Sequence, residues 1–138
     1  MVWYPSLDDV INIHVVAMVE LGQAPQLVPA STKLESALLR PRHHGYSSGA
    51  NLVEQAACLL EGLAQAHGFF NANKRTTLAV ADTFLAVNGY ITTADRALEN
   101  MLVGLVAANE KQQDVEAMTS ELVAGIRVRI TPVASTRD

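Results

Sequence analysis

The chain has a single cysteine, Cys58, so no disulfide can form within it and a reducing compartment is its natural setting. Cys58 lies among Ala56, Ala57, Leu59 and Leu60, where a thiol serves as a small hydrophobe. No activating partner stands beside it in sequence, and it reads as inert. Aromatic residues make up only 5%, which argues against a β-sandwich and for aliphatic and alanine packing between helices. No block of Lys or Arg occurs, and the net charge is −4. Direct electrostatic binding to nucleic acid is thereby excluded, though a small local anion site is not. The longest uncharged apolar run, Val10 to Val19, contains Asn12 and His14 and is too short to span a bilayer. Met1-Val2-Trp3-Tyr4-Pro5 lacks the basic start and apolar stretch of a signal peptide. These absences leave a cytoplasmic globular protein with no membrane segment.

What is present is helical periodicity over 138 residues, enough for one domain spanning 1–138. Hydrophobic residues make up 49%, sufficient for a real core. Ser6 with Asp9 forms a capped start, and Leu7, Val10, Ile11, His14, Val15 and Met18 recur at helical spacing until Gly22 and Pro25. Gln23 to Ala30 reads as a loop. Thr32 and Glu35 open a short second helix that stops at Pro41. His43 to Gly49 follows as a turn-rich segment, with Tyr46 either a lid residue or a plain loop aromatic. A third helix starts near Asn51, with Glu54 at its third position and Gly68 as its stop. A fourth, from about Asn73 to Val87, is apolar nearly all round and is expected at the buried centre; Asn88-Gly89 ends it. Two more run from roughly Thr93 to Ala108 and from Asp114 to Ile126. Arg127-Val128-Arg129-Ile130 alternates like a short strand and equally suits a continued helix. Residues 130–138 read as a mobile tail.

Chemistry concentrates in His67-Gly68-Phe69-Phe70-Asn71-Ala72-Asn73-Lys74-Arg75. Two adjacent cations in a first helical turn oppose the helix dipole by roughly a few tenths of a kcal/mol each. They become favourable if an anion settles there, held by free backbone N–H groups, the Lys74 point charge and the Arg75 fork. Asn73 and Asn71 can cap the helix or orient a ligand. His67, a few residues earlier, is a suitable general base for a hydroxyl, its free pKa being about 6.5. A helix C-terminus favours its imidazolium, whereas Lys74 and Arg75 disfavour it. The plainer alternative is a solvated helix start with an asparagine cap.

This ordered segment resembles the signature of the Fic/Doc superfamily in its Doc (death on curing) form. Phe84-Leu85 with Asn88-Gly89-Tyr90 agrees downstream, Leu34-Glu35-Ser36-Ala37-Leu38 with Arg40-Pro41 upstream, and His14 in the first helix. The resemblance covers about Leu7 to Tyr90. It implies an all-α, six-helix fold around a buried central helix, with the motif straddling a loop and that helix's N-terminus. It also implies that His67 is catalytic, that Phe69 is a buried anchor, and that Asn73, Lys74 and Arg75 contact nucleotide phosphates. Members that transfer AMP have glycine where Lys74 stands. Lysine there marks the Doc form, in which the nucleotide binds the other way round and presents its γ-phosphate. The resemblance therefore implies a protein kinase using ATP and Mg²⁺. Its expected substrate is a threonine of elongation factor Tu, whose phosphorylation halts translation, and a Phd-like antitoxin is the expected restraint.

One departure bears on the metal. Most members carry an acid where this chain has Asn71. An amide oxygen can ligate Mg²⁺ or hold a coordinated water, but without negative charge it binds more weakly. Three functions follow: a Doc-type kinase, a Fic-type AMP-transferase, and a non-catalytic module that keeps the fold and binds a nucleotide or protein.

Overall fold

The computed structural model describes residues 1–24, 32–66, 73–93 and 95–133. Among them are six helices: α1 (Leu7–Glu20), α2 (Thr32–Ser48), α3 (Leu52–Ala66), α4 (Asn73–Val87), α5 (Arg96–Lys111) and α6 (Val115–Arg127). Two short strands, β1 (Tyr90–Thr92) and β2 (Ile130–Pro132), complete the order, with β1 between α4 and α5 and β2 last. The fold is all-α, as the periodicity requires.

Local chemistry sets the helix starts. At α1, Asp9 N–H donates to Ser6 Oγ at 3.1 Å while Ser6 N–H donates to Asp9 Oδ2 at 2.8 Å, a reciprocal cap. Asn51 and Glu54 repeat the device at α3, with both backbone-to-side-chain bonds at 2.9 Å. At α5, Asp95 Oδ1 accepts from Leu98 N–H at 2.9 Å, which moves that helix start from Thr93 to Arg96.

The second helix corrects the sequence reading. Pro41 does not stop it: α2 continues to Ser48, so His43 to Gly49 is not a turn-rich loop. A proline inside a helix costs about 3 kcal/mol through its missing N–H and its clash with the preceding turn. Tertiary packing outweighs that cost. The α2–α3 interface is the most extensive between any two helices here, and Leu34, Ala37, Leu38 and Pro41 are all buried. Gly45 leaves room for the Gln55 side chain of α3, since a Cβ there would lie 2.9 Å from Gln55 Nε2. Tyr46 is accordingly an exposed helix residue, not a loop aromatic.

Helix α3 packs on α2, α4, α5 and α6, and α4 lies between α1 and α3. The core joins Val10 of α1, Leu59, Leu60 and Leu63 of α3, Val80, Ala81, Phe84 and Leu85 of α4, and Leu98, Leu102, Leu105, Leu122 and Ile126 of the last two helices. The central placement of α4 is as expected, and α3 shares it.

Beyond α4 the chain turns at Gly89 (φ +100°), a conformation L side chains rarely adopt. The strands then pair antiparallel, with Tyr90 opposite Pro132 and Thr92 opposite Ile130. The segment expected as a tail from residue 130 is therefore a paired strand as far as Pro132, and residues 134–138 lie outside the described set. Of the two readings left open for 127–130, each is partly right: α6 runs through Arg127 and the strand begins at Ile130. Asn88 ties the chain start to this end of α4. Its Oδ1 accepts from Trp3 N–H at 2.9 Å, and its Nδ2 donates to Trp3 O at 2.9 Å and Phe84 O at 2.8 Å.

Candidate phosphate-binding site

α3 ends at Ala66 and α4 begins at Asn73, so the motif spans the connection and the first turn of α4. His67, Gly68, Phe69 and Asn71 lie outside the described residues, as do residues 25–30 of the loop expected from Gln23 to Ala30. Asn73 and Lys74 are helical in backbone, and their side chains also lie outside the described set. The described part of the site is the first turn of α4, Arg75, and what lies beneath them.

Arg75 is exposed, whereas Thr76 and Thr77 immediately after it are 0% and 1% exposed. The turn thus presents its cation outward and anchors the next two residues in the core. His14, also 0% exposed, faces the anchor from α1, with Nδ1 3.0 Å from Thr76 Oγ1. The first backbone N–H groups of a helix have no partner within it. Together with Arg75 they form a donor-rich end that suits an oxyanion.

Arg75 also stands at the rim of a cleft of about 560 Å³ between α1, α4 and α5. Asn12, Ile13, Val16 and Glu20 line it from α1, Leu78, Ala79, Asp82 and Thr83 from α4, and Glu99 from α5. Sequence reasoning missed Asp82, because α4 reads as apolar nearly all round. The available signal was a lone carboxylate between Leu78 and Leu85. Burial pushes the Asp82 carboxyl up to about 6. Three carboxylates against one guanidinium make this cleft a poor seat for a triphosphate.

A second cleft, about 720 Å³, lies between α2, α3 and α6 and is lined by Arg40, His43, His44, Glu54, Cys58 and Glu61 among others. Burial raises the Cys58 thiol above its ordinary range, which keeps it protonated and supports the inert reading. Among the described residues no group of three or more His, Cys, Asp or Glu side chains could hold a metal ion. Asn71, the metal ligand expected from the sequence, lies outside the described residues. No helix of the described residues is long and apolar enough to cross a membrane.

Two comparisons with known proteins bear on this arrangement. The model of the Fic/DOC family matches residues 4–85, from before α1 into the last turns of α4. A protein named Toxin Doc, from Mycolicibacterium smegmatis (strain ATCC 700084 / mc(2)155), is 32% identical over 91 residues, covering 64% of this chain and 70% of that protein.

Proposed function

Because the chain belongs to the Fic/DOC family, we propose that it is a Doc-type toxin that transfers the γ-phosphate of ATP to a hydroxyl of a translation factor. The acceptor we favour is a threonine of elongation factor Tu. The observation that carries the reading is the exposed Arg75 in the first turn of α4, set on a buried Thr76-Thr77 anchor and following Lys74 in sequence. Asn73, Lys74 and Arg75 would hold the phosphates, and Lys74 favours the orientation that exposes the γ-phosphate.

The chemistry asked of the protein is positioning and charge neutralisation. The acceptor oxygen forms a bond to the γ-phosphorus as the bond from that phosphorus to the β–γ bridging oxygen breaks. ADP leaves with the electron pair, and the hydroxyl proton passes to His67 as general base. Mg²⁺, when bound, neutralises phosphate charge, and Asn71 would offer it an amide oxygen. A Phd-like antitoxin is the partner we propose for restraint, in keeping with the name of the mycobacterial relative.

Incubation with elongation factor Tu and ATP labelled at either the α- or the γ-phosphate tests this. Label from the γ-position is expected on the factor. Label from the α-position instead would establish AMP transfer and overturn the argument from Lys74. One observation favours a second reading, a non-catalytic binding module: Asn71 stands where most members carry an acid. Under that reading His67→Ala arrests growth of expressing cells as strongly as the wild type does.

A further inference from the structure

The α1–α4 interface holds a polar pair that core packing does not call for. The buried residues of α1 are Val10, His14, Ala17 and Met18, one stripe at helical spacing, and His14 is the only polar member. On α4 the residue it meets is Thr76, also fully buried. An aliphatic residue at either position would bury apolar surface without desolvating an imidazole or a hydroxyl. Purely apolar interfaces tolerate sliding and rotation between helices. A hydrogen-bonded polar pair has one good geometry and is best known for fixing register.

The register it fixes matters because of its neighbours. Arg75 precedes Thr76 directly, and Ile13, before His14, lines the same cleft as Arg75. A rotation of α4 by one residue would turn the chain by about 100° and bring Arg75 toward the core. We propose that His14 is a positioning residue: through its bond to Thr76 it locks the rotation of the first turn of α4, so that Arg75 faces an incoming phosphate. This rests on the reading of Arg75 as a phosphate ligand, and the test separates the two.

Three variants suffice. His14→Leu fills the space without the bond, His14→Asn places an amide near the position of the ring Nδ1, and Thr76→Val removes the other partner at nearly constant volume. Amide hydrogen exchange at Thr77, Leu78 and Ala79 reports on the turn without any nucleotide, and a fluorescent ATP analogue with Mg²⁺ reports on binding. His14→Leu and Thr76→Val are expected to melt close to the wild type yet exchange at these three amides at least tenfold faster. They should bind the analogue about tenfold more weakly, with the double variant no worse than either single one. His14→Asn should restore both readings. Wild-type exchange in His14→Leu overturns the inference. So does faster exchange spread over the whole core without rescue by asparagine, which would make His14 an ordinary core residue. If the wild type binds no analogue, the phosphate-ligand reading falls, and the exchange of the α4 turn still decides the role of His14.

Discussion

Asp82 faces the cleft two helical turns along α4 from Arg75, too far for a direct ion pair across that span, and it is desolvated without compensation. Its carboxyl, raised to about 6, has a defined effect on stability. The folded state binds a proton that the unfolded state has released between roughly pH 4 and 6, so stability falls as pH rises through that window. Above it the loss is complete. Asp82→Asn should therefore leave stability at pH 3.5 nearly unchanged. At pH 7.5 it should raise it by about 1 kcal/mol, once solvent screening of a half-exposed group is allowed for. Equal stability of the two proteins at pH 7.5, measured by urea unfolding, would remove Asp82 as a source of strain. At this scale the sequence was legible where type and order coincide: Arg75 emerged on the outer side of its helix, as two cations at a helix start suggest. Asp82 was not legible, because the facing of one carboxylate depends on α1 and α5, which a window along α4 does not contain. His14 was noticed by position, but its partner lies 62 residues away in sequence, beyond any local pattern.

At the scale of elements, α2 shows tertiary contact overriding a local rule. Pro41 is a sound stop signal, and it fails because Leu34, Ala37, Leu38 and Pro41 itself are buried and the half-buried Gly45 beyond it packs on Gln55 of α3. The close approach at Gly45 depends on Gln55, whose side chain cannot swing away. Tyr4 Oη donates to Gln55 Oε1 at 2.6 Å, and Gln55 Nε2 donates to Ala50 O at 3.0 Å. Gly45→Ala consequently has two opposed effects. Helix propensity favours alanine by about 1 kcal/mol, while overpacking against a pinned side chain costs about 1–3 kcal/mol. A net loss of about 1 kcal/mol is expected in chemical denaturation. In a Gln55→Ala background the same change should become stabilising, because only the propensity term survives. Destabilisation in both backgrounds would show that Gln55 is not the obstacle. The helix starts at Ser6 and Asn51 were readable because capping is local chemistry; β1 was not, since three residues are too few for an alternating pattern to register, and β2 was only half readable from the alternation at 127–130.

For the whole molecule, the start of the chain and β2 close against the end of α4 opposite the motif. Trp3 is clamped by Asn88, β1 pairs with β2, and Arg129 Nε bridges to Asp95 at 3.1 Å. At the other end of α4 the described part of the motif is its first turn with the exposed Arg75. The claim on which the functional reading depends is that the motif's nitrogen donors hold ATP so that a nearby imidazole can activate a protein hydroxyl. Intact-mass spectrometry of elongation factor Tu, after incubation with Mg-ATP and either the wild type or His67→Ala, tests it most directly. The wild type should add the mass of one phosphoryl group and the variant none. An unmodified factor with both proteins, or the mass of a nucleotide with the wild type, would contradict the account.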